Sequence, residues 1–360
     1  MKKREWITIL LFCGFLGSMT LGFFLLPKGD YSENEKRYLA ETPKLSWEAV
    51  ASGDWGADAE TYMADHLPGR DFLVGLNAYF ELLTGRQAGK DIRVEAGKLL
   101  EAPVQPNEGA VQRNMKAINS FSEMVGQSVD LMIVPSAGWA AGLEGYTDET
   151  IIAGVYAKAA ETVKPMSVEA VFAGQPALYY DTDHHWTSAG AYGAYRAYME
   201  AAGREYRAEA DFEKMVFGPF QGSTYSRSAL WLTEGEDLEL WKGSDNLTVT
   251  NAEEETPHDG VFYWERLEEA DKYTVFLDGN HSLVRVKNPG KEGKVLVIRD
   301  SYSNCLGCFL AETYGEVVLV DLRYYRQPVS QLAAEEGFDD ILVCYSIGNF
   351  LTDTNLVWLR

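Results

Sequence analysis

The sequence predicts an α/β fold on a central, mostly parallel sheet, and three observations carry the prediction. Short apolar runs at Val129–Val134, Lys294–Ile298, Val317–Val320 and Ile341–Tyr345 have the length of strands buried on both faces. A helix-like segment, Ser303–Tyr314, separates two of them, and strand, helix, strand in this cadence implies parallel pairing through right-handed crossovers. The 360 residues are 46% apolar and 12% aromatic, enough for a large core, which excludes a disordered chain.

The elements follow in order. Lys2, Lys3 and Arg4 precede an uncharged run from Trp6 to Leu26. A membrane span needs about 20 residues and a cleaved secretory core only about 7 to 15, so the run favours a retained anchor over a removed signal. The cations before it and the acids after it place the N-terminus in the cytoplasm and the remainder outside. Residues 1–26 are therefore read as a signal anchor or transmembrane helix, with Cys13 packed in the membrane. Residues 27–60, with Pro27, Gly29, Pro43 and Gly53, read as a polar stalk, and 61–360 as the α/β domain.

Within that domain, Phe72, Leu76, Tyr79, Phe80 and Leu83 recur at helical spacing over Asp71–Thr84, before Gly85. Leu178–Asp181 reads as a further strand. Thr187 can cap a helix that runs to Ala202 and ends at Gly203. Alternating runs such as Leu238–Trp241, Gly260–Tyr263 and Tyr273–Leu277 mark a β-rich insertion at about 212–288, after which the α/β pattern resumes.

Charge narrows the partners. Thirty-two basic against 54 acidic residues give a net charge of −22, which repels phosphate backbones and excludes nucleic-acid binding as an expectation. Neutral or amino-sugar polymers suit such a surface better than polyphosphates do. Four cysteines are too few for a disulfide scaffold. Cys305 and Cys308 form a Cys-x-x-Cys whose apolar neighbours favour buried helix packing over a redox pair.

Catalytic groups in parallel sheets collect at the carboxyl ends of strands. After Lys294–Ile298 comes Arg299-Asp300-Ser301-Tyr302-Ser303, which puts Ser301 on a strand-to-helix turn. The first N–H groups of the helix there lack intrahelical partners and can receive an oxyanion. After Leu178–Asp181 comes Thr182-Asp183-His184-His185-Trp186. Residues two apart in an extended segment share a side, so Asp183 can orient His185 toward Ser301 while His184 points away. The competing reading makes Ser301 an ordinary helix cap and the histidines satisfied structural groups.

The string Asp183-His184-His185-Trp186 resembles the signature of the DHHW family of exported bacterial proteins, and Thr182–Thr187 is similar to the Thr-Asp-x-His-Trp-Thr segment of periplasmic alginate O-acetylation proteins. Both belong to the SGNH-hydrolase-like group. Arg299–Ser303 resembles their nucleophile block and Asp321-Leu322-Arg323-Tyr324-Tyr325 a further one, so the similarity runs from about residue 30 to the C-terminus. The resemblance implies an SGNH-hydrolase-like three-layer fold and a Ser301–His185–Asp183 triad. That triad would move an acetyl group onto or off a cell-envelope polysaccharide. It also implies Arg323 and Tyr345 as substrate or oxyanion contacts, and a multispanning O-acyltransferase partner as acetyl donor across the membrane. The Gly-Asp-Ser of ordinary SGNH hydrolases is Arg299-Asp300-Ser301 here, and their Asp-x-x-His is Asp-x-His. Asn280 and Asn349 are candidates for the missing oxyanion donors.

No cofactor is called for. A metal hydrolase on Asp183, His184, His185, His258 and His281 is the chemical rival; adjacent histidines facing opposite sides argue against it, and no metal is expected. The rival from another class is a non-catalytic carbohydrate-binding or scaffold protein, for which nine Trp and 20 Tyr offer stacking surfaces.

Overall fold

The computed structural model describes residues 3–86, 91–252 and 256–360; Lys2 of the basic cluster and 253–255 of the β-rich region lie outside the described residues. The chain divides into two units, Met1–Lys90 with Tyr225–Thr233, and Asp91–Thr224 with Glu234–Arg360.

The first unit is helical. Helix α1, Lys3–Leu25, is long and apolar enough to cross a membrane, and none of its residues is buried. A two-strand ribbon, Tyr31–Ser32 with Arg37–Tyr38, leads to α2 (Trp47–Ser52), α3 (Asp54–Asp65) and α4 (Arg70–Leu83). The polar stretch before residue 60 thus contains helices, started where Ser46 accepts from the Ala49 N–H and Gly53 takes a left-handed turn between α2 and α3. Gly75 of α4 lies so close to Trp231 that a side-chain carbon there would sit 2.7 Å from its ring. The Trp231 indole donates to the Asp71 carbonyl at 3.0 Å, and the Leu232 N–H to the Tyr79 hydroxyl at 2.8 Å.

The second unit is built on a mixed sheet. Its strands are β1 (Val129–Val134), β2 (Val163–Pro165), β3 (Thr248–Asn251), β4 (His258–Asp259), β5 (Leu283–Lys287), β6 (Lys294–Arg299), β7 (Glu316–Val320) and β8 (Asp340–Ser346). They lie in the order β4-β3-β5-β7-β6-β8-β1-β2. From β7 to β2 all pairs are parallel; β5, β3 and β4 extend the sheet antiparallel.

The apolar runs become strands because both sheet faces are covered. In β6, Val295 and Val297 face one core while Leu296 and Ile298 face the other; in β8, Leu342 and Cys344 alternate likewise with Ile341, Val343 and Tyr345. The first core is closed by α6 (Ser188–Ala202) and α7 (Tyr302–Leu310). The second is closed by α5 (Glu108–Val125), α8 (Val329–Glu336) and α9 (Ile347–Thr352). Helix α6 starts where the Thr187 hydroxyl accepts from the Gly190 N–H and stops at left-handed Gly203. Cys305 and Cys308 are buried free thiols, and burial pushes both above the usual thiol range, as packing residues rather than a redox pair.

Three sequence expectations are corrected. Leu178–Asp181 is not a strand of the sheet: Pro176–Leu178 is a 3-10 turn, and only Tyr179 forms a bridge, with Trp186. Within the β-rich region 212–288, β3, β4 and β5 join the central sheet, while Glu213–Phe220 and Glu236–Lys242 pair as their own ribbon. Tyr273–Leu277 begins as a 3-10 turn, and α7 ends at Leu310 rather than Tyr314.

Candidate active site

Parallel strands β6, β7 and β8 all end at one edge of the sheet, so Ser301, the Asp321–Arg323 turn and the Tyr345–Asn349 segment converge there. Ser301 follows β6 and occupies the N-cap position of α7, yet its hydroxyl makes no capping bond. Instead its Oγ lies 2.8 Å from His185 Nε2, and His185 Nδ1 lies 2.5 Å from Asp183 Oδ1. With Nδ1 protonated toward the carboxylate, Nε2 is left to accept the serine proton. The three groups are almost fully buried, and Ser301, 8% exposed, keeps just enough surface to be reached.

The segment that carries Asp183 and His185 is a closed loop. The Tyr179–Trp186 bridge shuts its base, and the Tyr180 N–H donates to the His185 carbonyl at 3.3 Å. Glu236 accepts from the Asp181 and Thr182 N–H groups and from the Thr182 hydroxyl. Trp186 is wholly buried and its indole N–H donates to the Tyr302 carbonyl at 3.1 Å, while the Tyr302 hydroxyl donates to the His184 carbonyl. Loop and helix start are thereby tied twice through Tyr302, the residue next to Ser301.

Asp183 accepts from the His185 N–H and Nδ1 and from the Ser223 N–H at 2.6 Å. Burial opposes its ionisation, but the pull of His185 and His184 and these hydrogen bonds outweigh it and hold the carboxyl well below the usual range. Gly222 makes room for it: a Cβ there would be 2.1 Å from that of Asp183. Tyr273 stacks on the His185 ring at 3.9 Å and 7° between planes. Gly222, Ser223 and Tyr273 were not singled out in the sequence, where no spacing links them to the Asp-His-His-Trp string.

His184 does not point away. Its ring lies 3.8 Å from that of His185 and its Nδ1 is 2.5 Å from Ser223 Oγ, because residues 181–185 bend rather than extend. Burial and the neighbouring His185 lower its affinity for a proton. Asp183, His184 and His185 consequently each bring one ligand-type atom within 4.8 Å of the others. Both His185 nitrogens already face Asp183 and Ser301, so a cation held there would displace the relay.

The start of α7 offers fewer free donors than its sequence suggests. The Tyr302 N–H donates to Asp300 Oδ1, the Ser303 N–H to the Asp300 carbonyl and the Asn304 N–H to the Ser301 carbonyl. Among the described residues the Ser301 N–H has no such partner. Asp300 Oδ2 accepts from the Ser346 N–H and hydroxyl and from Asn349 Nδ2 at 2.8 Å. Asn280 accepts through its carbonyl oxygen from Arg299 and Asn304. Arg323 forks onto Asp321, with Nε 2.9 Å from Oδ1 and Nη2 2.6 Å from Oδ2. Arg323, Tyr345, Asn349 and Asp300 line a polar cavity of about 200 Å³ with residues 352–355.

Residues 146–320 match the family model described as DHHW protein. The fold is similar to that of a DHHW family protein from Eubacterium siraeum, at 21% identity and TM-score 0.65, over 74% of this chain and 93% of that one. It is also similar to Bacillus cereus PatB1 carrying a sulfonyl adduct, at 20% identity and TM-score 0.63, over 75% and 98%. No curated protein sequence matches. The chain thus shares the α/β fold of these two structures, and its residues 146–320, which include the Asp183–Trp186 string, are similar to the DHHW family.

Proposed function

We propose that the chain is an exported, membrane-anchored enzyme that transfers an acetyl group to, or hydrolyses it from, a cell-envelope polysaccharide through Ser301, His185 and Asp183. The observation that carries this reading is the continuous 2.8 Å and 2.5 Å relay from a serine hydroxyl that caps nothing, through an imidazole, to a buried carboxylate. His185 takes the Ser301 proton as the oxygen attacks the acetyl carbonyl; Asp183 holds the ring and stabilises the imidazolium. The Ser301 N–H meets the oxyanion, and collapse expels the leaving alcohol with the proton from His185 Nε2. A sugar hydroxyl that then attacks the acyl-serine makes the protein a transferase, and water makes it an esterase.

Arg323 and Tyr345, with Asn280 and Asn349, serve as substrate or oxyanion contacts in this reading; the polar cavity beside Asp300 suits hydroxyl-bearing ligands. Helix α1 anchors the chain, N-terminus inside, and a multispanning O-acyltransferase supplies the acetyl group. PatB1 carries a sulfonyl adduct, and sulfonyl electrophiles form such adducts with activated hydroxyl nucleophiles, which makes them suitable probes here. One observation favours the alternative of a non-catalytic carbohydrate-binding or scaffold role: Asp300 occupies helix donors that an oxyanion would use. Acetyl-ester hydrolysis with trapping of the acyl adduct decides between them. The parent is expected to turn over and form the adduct, and Ser301→Ala and His185→Ala are not. Equal rates in all three overturn the enzymatic reading, and glycan binding untouched by Ser301→Ala without turnover in the parent supports the alternative.

A further inference from the structure

We propose that α4 lies on the outer membrane surface beside the anchor, with Phe72, Leu76, Phe80 and Leu83 inserted among lipid headgroups and the first acyl carbons. The proposal rests on the reading of α1 as a retained span.

These four side chains occupy one face of α4 at helical spacing and are 70%, 55%, 61% and 87% exposed. The rest of the helix surface is already used: Gly75 and Ala78 are buried, Gly75 against Trp231, and Tyr79, at the border of the stripe, receives the Leu232 N–H. A soluble chain seldom leaves a continuous stripe of two phenylalanines and two leucines in water. Among the described residues its own unit leaves it uncovered.

The position of α4 identifies the cover. Pro68, just before α4, sits so near Gly22 in the last turn of α1 that a side-chain carbon on Gly22 would lie 3.0 Å from Pro68 Cγ. Phe23 of the same turn meets the Tyr62 ring edge-on at 6.0 Å, and Lys28 Nζ stands 4.2 Å from the Phe23 ring. Helix α4 therefore begins where the apolar span ends, at the depth of the bilayer surface. Trp47, Leu45 and Tyr38 of this unit are also strongly exposed, and aromatic residues favour the same interfacial layer. The charge of −22 selects a zwitterionic over an anionic lipid surface.

The test uses the full chain with Cys13→Ser, reconstituted in phosphatidylcholine vesicles. An environment-sensitive fluorophore is placed on Leu76→Cys or, one residue along, on Leu76's exposed polar neighbour through Asn77→Cys. The Leu76→Cys probe is expected to emit to the blue and to be quenched several-fold more by nitroxide-labelled lipids than the Asn77→Cys probe. Equal, water-like emission from both in a chain that floats with the vesicles overturns the interfacial helix alone. A chain that leaves the vesicles overturns the anchor reading and this proposal with it. A blue shift seen only when chains are crowded on one vesicle assigns the stripe to a second copy and overturns the lipid assignment.

Discussion

The indole N–H of Trp186 donates to the Tyr302 carbonyl at 3.1 Å, joining the loop that bears His185 to the helix turn that follows Ser301. The last letter of the Asp-His-His-Trp string thus has a positional role: with the Tyr302 hydroxyl on the His184 carbonyl, it fixes the spacing of base and nucleophile.

Replacing Trp186 by Phe keeps an aromatic ring in the core but deletes that bond. A neutral hydrogen bond contributes about 1 kcal/mol, so Tm should fall by about 2–4 °C. Turnover should fall more than stability suggests, by about tenfold, because a small displacement of His185 lengthens the Ser301 contact. Calorimetry and acetyl-ester kinetics on the same preparation check this.

Asp183→Asn should lower kcat by about four orders of magnitude with the fold intact, since an amide can favour the wrong imidazole tautomer. Gly222→Ala should also lower kcat, because its Cβ would fall 2.1 Å from that of Asp183 and drive the carboxylate off His185. Circular dichroism separates both from unfolding, and a small effect of Asp183→Asn would mean that another carboxylate orients the ring.

Tyr273 separates stacking from hydrogen bonding. Among the described residues its buried hydroxyl has no partner, while its ring lies flat on His185. Tyr273→Phe should therefore retain activity and be as stable as the parent or more so, as an unsatisfied buried hydroxyl is removed. Tyr273→Leu should lower kcat with KM little changed and shift the pH–rate profile. Equal activity of Leu and Phe variants would remove Tyr273 from the positioning of the imidazole.

The two ionisable neighbours of His185 predict acid destabilisation in two steps. Burial, then the charge of His185, lowers the His184 pKa below its ordinary 6.5. Below about pH 6.5 the unfolded chain takes up a proton that the native one refuses, so stability falls as pH drops from there. Asp183 lies well below its ordinary 3.8; its contribution is present above about pH 4 and is lost as pH falls through the native value. Tm measured from neutral pH to pH 5 should decline less in His184→Gln than in the parent; parallel curves would contradict the first step.

Much of this was legible in the chain because burial on both faces leaves a plain mark. Val295–Ile298, Val317–Val320 and Ile341–Tyr345 are apolar throughout and Val129–Val134 is broken only by Asp130, the pattern of strands covered on both faces. Ser301 is legible because it follows a strand whose carboxyl end lies at the sheet edge, whereas the Asp183–His185 pair reaches it from a loop. Leu178–Asp181 misled because Tyr179 and Tyr180 are buried by a loop rather than by neighbouring strands. His184 was placed on the wrong side for the same reason, since alternation holds only in extended backbone. Gly222, Ser223 and Tyr273 reach the site through tertiary packing, and Asp300 takes up helix donors that sequence alone leaves open.

The central claim is that His185 activates Ser301. Treatment with an aryl sulfonyl fluoride followed by peptide mass spectrometry tests it most directly. The account predicts one adduct, on the Ser301 peptide, formed in the parent and lost in His185→Ala. Labelling of Ser301 at the same rate without His185, or no labelling of Ser301 in the folded parent, would contradict it.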